Sequence, residues 1–235
     1  MVSVCLATFN GENFIKEQLK SILLQLNEND EIIVSDDHST DKTIDIINSI
    51  SDSRIKVYSN IKKPGYTKNF ENALEKAEGD IIFLSDQDDI WMENKVVVSL
   101  DALKDYDFVV SDAEIANSKL NIIDVSIFEY RKVKQGFIRN FIQIKYLGCC
   151  MAFKRNVLNK ALPFPNNQKL VTHDSWLTLV AEMFFNVKLI NKPLIKYRRH
   201  ENNTSLGGAR GGNTLIRKVL IRLYSLFHLI RILGR

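Results

Sequence analysis

The chain has 235 residues, enough for one sizeable α/β domain with a full core. Hydrophobic residues make up 45% and charged residues 26%, an ordinary globular composition that excludes wholesale disorder and a polytopic membrane protein. The net charge of +4 is mild. Much of the excess lies in Arg217, Lys218, Arg222, Arg231 and Arg235, with no acid among them, which points to a surface for an anionic partner.

"VSVCLATF" is an apolar, β-branched run broken by "NGEN", which predicts a buried strand and a turn. Phe14, Ile15, Leu19, Ile22, Leu23 and Leu26 then keep helical spacing. "EIIVSDD" predicts the second strand, and "STDKTIDIINSI" a helix capped by Ser39 or Thr40. "RIKVYSN" is a third strand, and "TKNFENALEKAEG" a helix closed by Gly79 as a C-cap. "DIIFLSD" is the fourth strand. This alternation predicts a parallel, doubly wound sheet, in which ligands bind outside the carboxyl ends of the strands. Thr8 to Glu12, Asp36 to Asp37 and Asp86 to Asp89 all fall at such ends, so they should converge on one cleft.

From about residue 106 the rhythm changes. "YDFVVSDAEIA" predicts a strand, "FIRNFIQIK" a short helix, "GCCMAFKR" a strand, "HDSWLTLVAEMFF" a helix, and "NVKLI" and "PLIKYRRH" two strands. No linker divides the chain, so residues 1–205 read as one domain. Residues 1–105 carry the strand ends of the cleft, residues 106–205 are expected to build its other wall, and residues 206–235 form a loop and a basic amphipathic helix. The stretch from Asn202 to Asn213 is the most loop-like, a hinge or a mobile segment.

"LSDQDDIW" sets Asp86, Asp88 and Asp89 within four residues. Two unit charges about 4 Å apart repel by roughly 4 kcal/mol at an effective dielectric near 20, so a cation is expected among them. Mg²⁺ or Mn²⁺ suits such oxygen ligands and also takes substrate phosphates. An acidic turn capping the next helix is the plainer alternative. The chain lacks G-x-G-x-x-G and G-x-x-x-x-G-K-[ST], which argues against a dinucleotide fold and a P-loop.

"CLATFNGENFIKEQLKSIL", "VSDDHSTDKT", "GYTKNFENALEKAEGDIIFLSDQDDIW", "GCCMAFKR", "HDSW" and "YRRHENNTS" together resemble the successive motifs of family 2 inverting glycosyltransferases with the GT-A fold, most of all a bacterial rhamnosyltransferase-like branch acting in surface polysaccharide assembly. The resemblance runs from residue 1 to about 205. It implies an α/β fold with a mostly parallel central sheet flanked by helices, a nucleotide-diphosphate sugar donor such as dTDP-rhamnose or a UDP-hexose, Mn²⁺ or Mg²⁺, and a glycan or lipid-linked saccharide acceptor.

Residue by residue, the resemblance places Thr8, Phe9, Asn10 and Glu12 at the nucleoside, with core packing the alternative for Phe9. Asp36 stands where an acid accepts from the pyrimidine N–H, and Asp37 there or at the turn. Lys68 and Asn69 face the donor or form a solvated helix face. Asp86 touches ribose or sugar, Asp88 ligates the metal, and Asp89 assists or caps. Asp174 is the base that activates the acceptor hydroxyl, or a helix cap, with His173 an orienter or packing residue. His200 reaches the diphosphate or metal, and Arg198 or Arg199 adds charge to the phosphates unless both are surface groups on an edge strand. Gly148 admits the sugar or acceptor, Trp91 and Trp176 wall that site or belong to the core, and Cys149 and Cys150 pack.

A sugar-1-phosphate nucleotidyltransferase would show a Gly-rich basic loop that "TFNGENF" lacks, while a catalytically silent binding module would lack the acids that are present. Three cysteines without paired spacing suit a reducing compartment, and the N-terminus lacks signal-peptide features, so a cytoplasmic location is expected. In the tail, Ile216, Leu220, Leu223, Phe227 and Ile230 keep helical spacing, with Arg217, Lys218, Arg222 and His228 mostly opposite and Ile221, Leu229 and Ile232 misplaced. Spanning a bilayer takes about 20 apolar residues, so the tail is expected to lie on the inner leaflet of the membrane, or to pack on its own domain or on a second copy in a homodimer. The basic cluster lacks stacking aromatics, so no nucleic-acid partner is expected.

Overall fold

The computed structural model describes residues 1–200 and 214–234. Its first half is β1 (Val2–Thr8), α1 (Ile15–Leu23), β2 (Glu31–Asp36), α2 (Thr43–Ser49), β3 (Ile55–Ser59), α3 (Tyr66–Lys76) and β4 (Ile81–Asp86). The four strands are parallel, in the order β3-β2-β1-β4. Near-continuous apolar runs form β1, β2 and β4 because helices cover both faces of a parallel sheet. Val4, Leu6, Ile33 and Phe83 are fully buried. The register then decides the site: Thr8 lies beside Asp36 and Ala7 beside Asp86, so three strand ends finish level with one another.

The second half is β5 (Ile90–Trp91), α4 (Lys95–Ala102), β6 (Phe108–Asn117), β7 (Ile122–Asp124), α5 (Ile127–Arg131), α6 (Phe137–Ile142), a 3-10 turn (Gly148–Cys150), β8 (Met151–Lys154), α7 (Arg155–Ala161), α8 (His173–Phe184), β9 (Val187–Arg199) and α9 (Leu215–Ile232). β8 enters antiparallel between β4 and β6, and the sheet runs on through β9 to β5. The sheet is therefore mixed, parallel in its first half and again between β6 and β9. One hydrophobic cluster joins Val4, Phe83, Phe153 and Leu177 and reaches Leu229 and Ile232 of α9.

Three local expectations are corrected. Ser39 and Thr40 do not cap α2: Ser39 Oγ bonds Asp36 Oδ1 at 2.5 Å and Thr40 N donates to Asn10 Oδ1 at 2.9 Å, so both are committed to the strand-end turns. The helix starts at Thr43, whose N–H donates to Asp41. Gly79 does not close α3, which ends at Lys76; a Cβ on Gly79 would lie 2.8 Å from both Met1 O and Ser3 N, so the glycine permits close backbone approach. The two C-terminal strands are one, because the Asn191–Pro193 break is absorbed as an irregular register against β6.

Candidate active site

The turn after β4 carries the acids in three different settings. Asp86 is partly accessible, whereas Asp88 and Asp89 are buried. Asp88 Oδ2 lies 2.8 Å from His200 Nε2, and the His200 ring stacks on Phe14 with centroids 4.6 Å apart. Two residues 112 positions apart in the chain, both expected at the metal, are thus brought together. Asp89 Oδ1 accepts from Arg198 N at 3.0 Å, while its buried Oδ2 has no hydrogen-bond partner among the described residues. Asp89 is therefore not a cap, and α4 begins beyond it at Lys95.

Oxygen atoms of Asp86 and Asp89 and the Cys149 sulfur lie within 4.8 Å of one another. A hydrogen bond with Cys150, then burial, pushes the Cys149 thiol well above its ordinary value, so it stays protonated and the group offers oxygen rather than thiolate ligands. Burial, then the charges of Asp88 and Asp174, pushes Asp86 up to about 7. Asp89 is also raised, by burial first and then by Asp88 and Asp86. The crowded acids, the orphaned Asp89 oxygen and the neighbouring imidazole fit a hard divalent ion.

The chain also supplies a cation of its own, which the sequence reading missed. Lys95 is fully buried, with Nζ 3.4 Å from Cys149 O and 5.1 Å from the Trp91 ring centroid. Burial lowers its pKa, which the Asp89 charge partly opposes.

On the donor side, Gln87 is a second residue the sequence reading missed. Its side-chain oxygen meets Thr8 Oγ1 at 2.5 Å and Phe9 N at 2.9 Å, and its amide nitrogen donates to Phe9 O at 3.0 Å, clamping β1 to β4. Gly11 is needed beneath it, since a Cβ there would collide with the Gln87 amide. Phe9 is 53% exposed, which removes the core-packing alternative. Asn10 adopts φ 48°, its N–H bonded to Ser39 Oγ at 2.9 Å. Glu12 accepts from Lys42 N at 3.0 Å, so both residues hold the turn before α2.

Asp36 is buried against Ser39. Asp37 resolves as the turn holder, accepting from Asn60 Nδ2 and Gly65 N at 2.7 Å each. Asn69 donates to Thr8 O at 3.1 Å and keeps its own buried oxygen unpartnered among the described residues. Lys68 is not on a solvated face and its charge is already matched: Nζ lies 2.5 Å from Glu71 Oε2 in a buried ion pair.

Asp174 stands in the first turn of α8, where the helix dipole favours a carboxylate. Its Oδ1 accepts from Ser175 N at 2.7 Å and from Thr172 Oγ1, leaving Oδ2 without a protein hydrogen bond among the described residues. A Cβ on Gly148 would lie 3.5 Å from Asp174 Cβ, and the next residue, Cys149, lies with Asp86 and Asp89, so the 148–150 turn joins the acids after β4 to the start of α8. His173 is a packing residue, stacked on Phe70 at 4.1 Å, and burial lowers its pKa.

Four expectations change here. A Cβ on Gly148 would lie 2.7 Å from His173 Nε2, so this glycine makes room for His173 and not for a sugar. Trp91 and Trp176 are core residues at 3% and 1% exposure, Trp176 Nε1 donating to Ala161 O at 2.8 Å; neither walls an acceptor site. Arg198 is buried, not a surface group, and its guanidinium pairs with Glu17 at 2.8 Å. Arg199 lies over the Tyr130 ring at 5.8 Å. Separately, a cavity of about 690 Å³ lined by Asp112, Ser126 and Lys188 contains none of the strand-end acids, and Asp112 is already bonded to Ser126 and Phe128, so the chemistry does not reside there.

Residues 3–162 match glycosyl transferase family 2, and the chain belongs to that family. It is 30% identical over 220 residues to the dTDP-rhamnosyl transferase RfbG of Shigella flexneri, covering 84% of this chain and 72% of that protein. It is 28% identical over 211 residues to the UDP-Glc:alpha-D-GlcNAc-diphosphoundecaprenol beta-1,3-glucosyltransferase WfgD of Escherichia coli, covering 87% of this chain and 79% of that one. The fold matches residues 1–349 of TarS from S. aureus, solved with UDP-GlcNAc, at a TM-score of 0.73 and 18% identity, over 96% of this chain and 65% of that one. The chain thus spans just under two thirds of that structure.

Proposed function

We propose that this chain is a metal-dependent, inverting glycosyltransferase. It transfers a sugar, rhamnose from dTDP or a hexose from UDP, to a hydroxyl of a lipid-linked glycan in cell-surface polysaccharide biosynthesis, on the cytoplasmic face of the membrane. One observation carries this reading: the strand register sets Thr8, Asp36 and the end of β4, where Asp86 stands, abreast of one another. The relatives that use dTDP-rhamnose and UDP-glucose, one of them on a diphosphoundecaprenol-linked acceptor, support the substrate class.

Phe9, exposed at the end of β1, would stack on the base, with Asp36 and Asn69 toward the donor. Asp88 and His200 would hold Mn²⁺ or Mg²⁺, with Asp86 beside them; the ion supplies positive charge to the departing diphosphate. Asp174 Oδ2 takes the proton of the acceptor hydroxyl as that oxygen attacks the anomeric carbon on the face opposite the diphosphate. Oδ1, tied to Thr172 and Ser175, fixes the direction from which the base acts. Among the described residues no helix is long and apolar enough to cross a membrane, and α9 presents an apolar stripe suited to lying on one.

The test is a thermal-shift series with UDP, dTDP and GDP, with and without Mn²⁺. Stabilisation by one diphosphate, dependent on metal, is expected, and no response to any of them points to a silent module. Asp174→Asn should then lower turnover by about 100-fold or more while donor binding persists. Near-normal turnover would remove Asp174 from the role of base.

A further inference from the structure

The C-terminal helix is amphipathic in an unusual sense, because both of its faces are apolar. Ser225, Leu229 and Ile232 are buried against the domain, while Ile216, Leu220, Leu223, Phe227 and Ile230 are each more than half exposed. Two of the three residues that seemed misplaced in the helical pattern, Leu229 and Ile232, are among those that dock. Tyr224 OH accepts from Asn167 N at 3.1 Å, and the His228 ring meets Trp176 edge-on at 6.2 Å. Docking therefore leaves the outer stripe uncovered within the described chain.

Beside this stripe lies a basic hollow. Arg222 of α9 donates to Ile142 O at the end of α6, and Ile142 lines a cavity of about 220 Å³ together with Lys132, Lys134, Arg139 and Lys145. At about 30 Å³ per water this space holds roughly seven waters, enough for a phosphate headgroup. None of the four cations is paired with a carboxylate among the described residues. The nearby Glu182 is already engaged by Gly136 N, Asn140 Nδ2 and Tyr146 OH. Ile138 and Ile142, one turn apart on α6, are 73% and 64% exposed, which extends the apolar surface to the rim of the hollow.

From this juxtaposition we infer that α9 and the α5–α6 segment form a two-part docking surface for an anionic phospholipid bilayer, with the α9 stripe entering the acyl boundary and the Lys132–Lys134–Arg139–Lys145 hollow receiving lipid phosphate. The inference rests on the membrane reading above and adds a headgroup site to it. Charge favours lipid over a second copy of the chain: the segment from 214 to 234 has Arg217, Lys218, Arg222 and Arg231 and no acid, so copies facing each other through it would set like charges together.

The experiment is flotation of the full chain with vesicles of phosphatidylcholine alone and of equimolar phosphatidylcholine and phosphatidylglycerol. The wild type should bind the anionic vesicles and bind the neutral ones far less. Lys132→Gln with Lys134→Gln, both exposed side chains whose loss leaves no buried group unpaired, should weaken binding about tenfold, and the Lys→Arg pair should keep it. If the glutamine pair binds anionic vesicles like the wild type, the headgroup site is wrong and the membrane reading survives. If the wild type binds neither vesicle, both fall. If Leu220→Ser with Leu223→Ser and Phe227→Ser dissolves a dimer and leaves lipid binding intact, a second copy is the occupant and the inference is overturned.

Discussion

Asp86 sits where its charge is least welcome and most useful. Burial and the neighbouring Asp88 and Asp174 raise its carboxyl to about 7, far above an ordinary aspartate. Between pH 4 and 7 the folded chain therefore holds a proton that the unfolded chain has released, so this group makes stability fall as pH rises through that window. Above it the penalty is fully present. Replacing Asp86 with Asn removes a charge the fold resists. In chelator, the variant should be more stable than wild type at pH 8, by about 1–3 kcal/mol once partial solvent access is discounted, and no more stable at pH 4. Urea melts at the two pH values check this; an equal gain at both would mean that packing, not charge, sets the effect. Lys95, buried with its Nζ 3.4 Å from Cys149 O, brings a basic group to the turn whose cysteine lies with Asp86 and Asp89.

At the scale of elements, α9 shows how one helix can answer two demands. Its inner face joins the core through Leu229, fully buried, while Leu223 on the outer face is 60% exposed. Leu229→Ala should destabilise the chain by about 2–5 kcal/mol through lost burial and a residual cavity. Leu223→Ala should stay within about 0.5 kcal/mol. Equal effects on denaturation midpoints would mean that the helix is not docked through this face. The helical spacing of the tail was legible in the sequence, and its docking was not, because a hydrophobic pattern records that a face is apolar without recording which of two apolar faces the domain claims. The same limit explains the caps. Ser39 and Thr40 look like helix starters, yet Asp36, three residues back, is a competing local partner for Ser39, and the bond of Thr40 to Asn10 forms only once β1 and β2 lie side by side.

Across the whole molecule, what could be read from the sequence is what depends on neighbours in the chain. Four apolar runs alternating with helices specify β1 to β4 and bring Thr8, Asp36 and Asp86 to one edge. The direction of β8 is silent, because a four-residue strand, "MAFK", has no signal that distinguishes parallel from antiparallel entry. Gln87 escaped notice because its partners Thr8 and Phe9 lie 79 and 78 positions away. The two tryptophans were ambiguous for the same reason, and their burial now makes them reporters. Trp91, on β5, packs on Phe83 of β4 and so reports the core of the first half, and Trp176 lies between α7 and α9 in the second. If the halves were separately stable, these sites would melt apart. The shared hydrophobic cluster, the pairing of β8 with both β4 and β6, and the bonds of Arg198 to Glu17 and of Glu71 to Phe164 N all argue that they do not. Trp91→Phe leaves Trp176 as the sole indole and Trp176→Phe leaves Trp91. In each variant the fluorescence midpoint in urea should coincide with that variant's own far-ultraviolet dichroism midpoint, as one cooperative transition requires. A fluorescence transition preceding the loss of helix in one variant alone would mean that the half reported by its remaining tryptophan opens independently, and that the acids after β4 and the base on α8 are held together less firmly than the continuous core requires.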